Sequence, residues 1–235
     1  MSAGKTAAVV IGASGGIGAA IHDALAEEGA YDVVHGFARS FAGDRHIDLT
    51  DPASIAAAAT IVAAGPAPTL VIVATGLLHD DTRGPEKALR DLDADWMARN
   101  FAINAIGPAL VAQAFLPLMP RTGRSIFAAL SARVGSISDN RMGGWHGYRA
   151  SKAALNQLIR TIAIEDKRRN SSGIVVALHP GTVDTALSKP FQGNVQPGRL
   201  FDAGRAGVQL LDVLDELKPT DSGKLFDWEG KEVTP

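Results

Sequence analysis

The chain has 235 residues and a mass of 24.5 kDa, with 46% hydrophobic and 6% aromatic content, 25 acidic against 23 basic side chains, and no cysteine. Without cysteine there is no thiol nucleophile, no disulfide framework and no zinc site built on thiolates. With no thiol, redox chemistry, if present, is borrowed from a cofactor, and the net charge of −2 provides no overall positive field for nucleic acid or an anionic membrane.

In chain order, Thr6–Ile11 reads as a short apolar strand. Gly12-Ala13-Ser14-Gly15-Gly16-Ile17-Gly18 follows, then a helical pattern running to Glu28 and closed by Gly29. A strand and glycines so near the start leave no secretory leader visible, and the expectation is a cytoplasmic protein. Residues 32–37 predict a second strand, with Arg39 and Ser40 just past its end. Residues 45–49 form a short extended piece, and Thr50-Asp51-Pro52 caps an alanine-rich helix over residues 54–64. Residues 53–78 contain no charged side chain for 26 positions, more than the roughly 20 that a membrane helix needs. Gly65-Pro66-Ala67-Pro68 interrupts that run, dividing it into the helix and a strand at residues 70–74.

A polar loop through Gly84 leads to a long helix over residues 93–118. Its uncharged part, residues 101–120, carries Asn104, Gly107, Pro108, Gln113 and Pro117, which argue against a membrane span. Then come a strand at 125–130, a glycine-rich loop at 133–147, a helix at 148–169, and a strand at 173–178 ending in His179-Pro180-Gly181. A helix over 202–217 and a short strand over 224–226 complete the chain. Strands alternate with helices throughout, and each parallel crossover needs a helix. The prediction is one α/β doubly wound domain over residues 1–235, a parallel sheet of seven strands with helices on both faces. Ligands in such sheets sit beyond the carboxyl ends of the strands.

A glycine-rich turn between strand and helix brings backbone N–H groups and a helix N-terminus up to a diphosphate. Gly12, Gly16 and Gly18 are spaced for that, and no Lys-Ser or Lys-Thr follows to make a Walker loop. Tyr148 and Lys152 are four apart on a predicted helix, so they share one face. A lysine ammonium beside a phenol favours the phenolate, and lowering a phenol from about 10 toward 7 takes roughly 4 kcal/mol. Such a phenol gives a proton to a carbonyl oxygen or takes one from an alcohol. Six histidines are present, none at the i, i+4 spacing of a helical metal pair, and no metal site is expected.

Gly12-x-x-x-Gly16-x-Gly18, Asp48-Leu49, Asn104, Ser131, Tyr148-x-x-x-Lys152 and Pro180-Gly181-Thr182-Val183-Asp184-Thr185 occur in order across nearly the whole chain. This set resembles the classical short-chain dehydrogenases/reductases. Gly135-Ser136-Ile137 and Gly143-Gly144 make it similar to their C-signal-like and sniffer-like carbonyl reductases. The resemblance implies a Rossmann-type fold and a catalytic set of Asn104, Ser131, Tyr148 and Lys152. Tyr148 would be the acid/base, Lys152 together with the cationic nicotinamide would lower its pKa, Lys152 would also hold the nicotinamide ribose, Ser131 would orient the carbonyl, and Asn104 would carry a water-linked proton relay. The gap from Ser131 to Tyr148 is seventeen, where the family usually has about thirteen, and Ser136 and Ser138 are alternative hydroxyls.

The resemblance also implies cofactor contacts at Gly12, Ser14, Gly16, Ile17 and Gly18, and at Arg39, Ser40, Asp48 and Leu49. Further contacts fall at Ala74, Thr75 and Gly76, at Tyr148 and Lys152, and at Pro180, Gly181, Val183 and Thr185. The family's Asn-Asn-Ala-Gly reads Val73-Ala74-Thr75-Gly76 here, and Ile11 replaces a threonine. With Ala38 where NAD-preferring relatives carry aspartate and Arg39 next to it, NADP(H) is the expected cofactor, with NAD(H) as the other candidate. Residues 186–200 would cover the substrate, while Trp145, His146 and His179 flank it. The reading is an NADP(H)-dependent oxidoreductase that interconverts a small-molecule carbonyl and alcohol, packed as a homo-oligomer through its uncharged helices, with no nucleic-acid or membrane partner. Its alternative is a non-catalytic NADP(H)-binding regulatory protein on the same fold.

Overall fold

The computed structural model describes residues 4–235; the first three residues of the predicted domain lie outside the described residues. Six strands form one parallel sheet: β1 (Thr6–Ile11), β2 (Val33–Phe37), β3 (Ala67–Val73), β4 (Ser125–Leu130), β5 (Gly173–His179) and, last in the chain, β8 (Leu225–Asp227). Their order is β2-β1-β3-β4-β5-β8. From β1 the chain crosses first to β2 and then back to β3 on the other side, so the reversal at β1 opens a crevice beyond its carboxyl end. Two further strands, β6 (Thr182–Val183) and β7 (Leu200–Phe201), pair only with each other.

The main sheet thus has six strands among the described residues, one fewer than the seven predicted. Residues 45–49 contribute only a single bridge between Ala38 and His46. The Ala38 N–H donates to the Arg45 carbonyl, and its own carbonyl accepts the N–H groups of Phe41 and Ile47, which closes a tight turn where a ladder would have to continue.

Side chains alternate across the strands and build two cores. Val9, Ile11, Val71, Val73, Phe127, Ala129, Val175 and Ala177 face one layer of helices. That layer is α2 (Pro52–Ala63), α4 (Gly107–Phe115) and α5 (His146–Arg169). Ala8, Val10, Leu70, Ile72, Ile126, Ala128, Val176 and Leu178 face the other, made by α1 (Gly16–Glu28) and α6 (Ala203–Glu216). Asp51 caps α2 through the Ala53 N–H, and Asp202 caps α6 through the Arg205 N–H.

The predicted long helix is one rod in pieces. α3 (Ala94–Phe101) runs into a π-helical turn, Ala102–Ile106, and then into α4. Pro108 has no N–H for the carbonyl four residues before it, that of Asn104, and the wide turn sits at that defect. By length and composition Ala94–Leu118 is apolar enough to cross a membrane. Here it packs against α5, with Asn100 and Asn104 buried and hydrogen-bonded inside the protein.

Candidate active site

A cleft of about 630 Å³ runs along the carboxyl ends of β1, β3 and β4. Arg39, Asp48 and Leu49 line one end, Gly12, Ser14, Gly16 and Ile17 the middle, and Ser131, Tyr148 and Lys152 the other end. Ala74, Thr75 and Gly76 form one wall, and Pro180 and Thr185 close the opposite one.

The middle is built for an anion. Gly15 is the N-cap of α1 and makes no side-chain cap, so the first-turn N–H groups, at the positive end of the helix, meet no side-chain acceptor. Gly12 adopts φ +94°, and a Cβ there would stand 2.7 Å from the Ala74 carbonyl oxygen. Thr75 Oγ1 beside it is buried without a hydrogen-bond partner. An uncapped helix end, an exposed Arg39 at one end of the cleft and a spare buried hydroxyl fit a phosphorylated dinucleotide. One oxygen of Asp48 accepts from both the N–H and the hydroxyl of Thr50, which holds its pKa below the usual carboxylate value.

Four predicted cofactor residues are outside the lining. Gly18 packs on the Gly12 carbonyl, and Ser40 is exposed in the turn after β2. Gly181, at φ +76°, backs onto Phe201 and Trp228, while Val183 is buried with Phe201 and Ala206. The last two lie behind the wall, the Val183 side chain packing toward β7 and α6.

At the far end, Tyr148 and Lys152 lie one turn apart on α5, with Lys152 Nζ 5.8 Å from the Tyr148 ring centre. Lys152 is buried and donates to the Leu130 carbonyl at 2.7 Å. Burial pushes its ammonium down to about 7 and pushes the Tyr148 phenol up. The sequence predicts a phenol lowered by its lysine together with the cationic nicotinamide; in the protein alone, burial is the cause that acts on it.

Asn104 sits behind this pair. Its Oδ1 accepts the Leu77 N–H at 2.7 Å, and its Nδ2 donates to the Leu77 carbonyl at 2.8 Å and to Ser151 Oγ at 3.0 Å. Ser151 in turn donates to the Tyr148 carbonyl. Asn104 thus ties the loop after β3 to α5, and it does so through direct bonds.

Ser131 lines the cleft, and its hydroxyl is engaged by a side chain of α5. Its Oγ lies 2.7 Å from Asn156 Oδ1, between β4 and α5. The alternative hydroxyls are occupied too: Ser136 accepts from the Asp139 N–H, and Ser138 donates to the Pro235 carbonyl. Ala132 is the residue that packs with Tyr148, Leu78, Trp145 and Phe191.

One contributor, Glu86, was missed by sequence reasoning, and Trp145 takes the flanking place predicted for it. Glu86 is buried under the start of α5; its carboxylate accepts the Gly147 N–H at 3.1 Å and its carbonyl accepts the Trp145 N–H at 2.5 Å. Trp145, the one non-glycine residue with positive φ among the described residues (φ 52°), stands edge-to-face against Phe191 and Tyr148. No local pattern marks Glu86, because its partners are some sixty residues away. His146 contributes a buried Nδ1 without a partner, and burial drives His179 down to about 4, which keeps it neutral.

A doubly wound parallel sheet with this crevice and a Tyr148/Lys152 pair defines a class, and residues 6–195 match the short chain dehydrogenase family; the chain belongs to it. C-signal of Myxococcus xanthus is 39% identical over 146 residues, which cover 62% of this chain and 82% of that protein. The 1-hydroxy-2-glutathionyl-2-methyl-3-butene dehydrogenase of Rhodococcus sp. (strain AD45) is 33% identical over 139 residues, 59% of this chain and 58% of that enzyme, so the match spans little more than half of that relative. Among solved structures, an NADPH-bound carbonyl reductase from chicken fatty liver aligns over 100% of both chains at TM-score 0.81 and 26% identity.

Proposed function

We propose that this chain is an NADP(H)-dependent oxidoreductase that interconverts a carbonyl and an alcohol, with Tyr148 as the acid/base. The observation that carries the reading is the placement of Tyr148 and Lys152 at one end of a continuous cleft whose other end carries Arg39. The likeness to an NADPH-bound carbonyl reductase over the full chain supports it.

In this reading the first turn of α1 binds the diphosphate, and Arg39 pairs with the 2′-phosphate of the adenosine ribose. Reduced nicotinamide, when bound, supplies hydride to the carbonyl carbon. Tyr148 gives its phenolic proton to the carbonyl oxygen. Lys152, held on the Leu130 carbonyl, favours the phenolate that remains, and Asn104 keeps the Leu77 loop and α5 in register. Leu78, Trp145 and Phe191 exclude water around the phenol.

The same reading puts the protein in the cytoplasm as a homo-oligomer joined through the exposed faces around Ile106 and Ile164. A monomer in sedimentation at micromolar concentration would remove the oligomer. The test of function is NADPH oxidation over a panel of aldehydes, ketones, quinones and acyl-carrier ketones, with wild type and Tyr148→Phe. We expect turnover to fall about 10²- to 10⁴-fold in the variant while NADPH binding is retained. Tight NADPH binding with no oxidation across the panel would favour a binding protein without turnover.

A further inference from the structure

Along β4 the odd-numbered residues Phe127 and Ala129 face the α5 layer and the even-numbered ones face away. Ser131 continues the odd series, and its hydroxyl accordingly meets Asn156 of α5. Asn156 is eight residues beyond Tyr148 on the same helix, about 12 Å along its axis. Ala132 is extended (φ −150°, ψ 145°), so its side chain turns to the other side, into the group that contains Tyr148. Of the hydroxyls that line the cleft, Thr75 adjoins Gly12, Thr185 adjoins Gly16, Ser14 belongs to the glycine loop, and that of Ser131 is held by Asn156.

We infer that Ala132, and not Ser131, borders the reacting carbonyl, so that Tyr148 is the single hydroxyl donor to its oxygen and the site takes carbonyl compounds activated by their own electronics, such as α-diketones and quinones. This rests on the proposed function. The reaction is the reduction described there: the carbonyl carbon gains the hydride, the oxygen gains the Tyr148 proton, and reduced nicotinamide is the electron donor. One oxyanion donor accounts for about 10²- to 10³-fold in rate. With that donor absent, a simple ketone is slow, whereas an α-diketone or quinone already draws charge from the reacting carbon. The walls suit such molecules, since Trp145 and Phe191 meet edge-to-face with ring centres 5.0 Å apart, backed by Leu78 and Leu187.

The test compares an aryl α-diketone with the matching aryl monoketone in wild type, Ala132→Ser and Ser131→Ala. Wild type is expected to prefer the diketone in kcat/KM, and Ala132→Ser to raise the monoketone value by about 10-fold or more. A readout independent of turnover is the infrared carbonyl stretch of isotope-labelled monoketone bound to the protein. Ala132→Ser should move it to lower frequency than wild type, because a second donor has been added. Ser131→Ala is expected to lower Tm by several degrees through loss of a buried bond. If Ser131→Ala abolishes turnover and shifts the stretch upward, or if Ala132→Ser changes neither ratio nor stretch, the inference is overturned. Wild type and Ala132→Ser that both bind NADPH yet reduce nothing would bring down the proposed reaction, and this inference with it.

Discussion

Asn104 pairs with the backbone of Leu77 as a neighbouring strand would, accepting its N–H at 2.7 Å and donating to its carbonyl at 2.8 Å. Two groups that a loop leaves open after β3 are satisfied by one side chain from the π-helical turn. Replacing Asn104 with aspartate keeps the acceptor and removes the donor to Leu77 and Ser151, leaving buried polar groups without partners. Asn104→Asp should cost about 1–3 kcal/mol in urea unfolding and weaken NADPH binding, since Ala74–Gly76 line the cleft. Unchanged stability and affinity would show that the loop holds itself.

Lys152 gives the fold a pH dependence of definite sign. Its folded-state pKa is depressed to about 7 by burial, whereas the unfolded chain keeps about 10.4. Between those values the unfolded state binds the extra proton, so stability rises with pH. Below about 7 the buried ammonium is charged in both states and its burial cost is fully present; above about 10 that cost is gone. Lys152→Met removes this penalty, so the variant should gain on wild type at pH 6, with the difference shrinking toward pH 10. Urea unfolding of both proteins across that range measures it, and a constant difference would contradict the burial argument.

Glu86 fixes the start of the helix that carries Tyr148. Its carboxylate holds the Gly147 N–H, and a Cβ at Gly147 would stand 2.8 Å from its other oxygen. Glu86→Ala should destabilise by about 1–3 kcal/mol and lower kcat more than it raises KM for the carbonyl compound, because Tyr148 loses its seat. Glu86→Gln retains an acceptor and should restore most of both. Equal damage in the two variants would mean that the charge, rather than the cap, is what matters.

Arg39 is exposed at the adenosine end of the cleft and makes no salt bridge among the described residues. A charge-assisted bond to a phosphate is about twice as strong as a neutral one. Arg39→Ala should weaken NADPH about 10-fold, worth roughly 1.4 kcal/mol, while NADH affinity stays level. Calorimetry with both nucleotides decides it, and parallel losses would remove Arg39 from cofactor discrimination.

The sequence alone determined whatever depends on short-range periodicity. Strand and helix runs alternate, so a parallel sheet covered on both faces follows; Gly12, Gly16 and Gly18 mark the turn; a four-residue spacing puts Tyr148 and Lys152 on one face of a helix. Tertiary structure decided the rest. Ser131 and Ala132 are small neighbours with nothing local to choose between them, and the sheet's alternation sends the hydroxyl to Asn156 and the methyl to Tyr148. Glu86 reaches Gly147 across 61 residues, a contact that only the closed fold creates. The burial of Tyr148 was likewise beyond the sequence. Spacing brings an ammonium close to the phenol, but how far water is excluded depends on every layer packed around them, and burial raises the phenol in the protein alone.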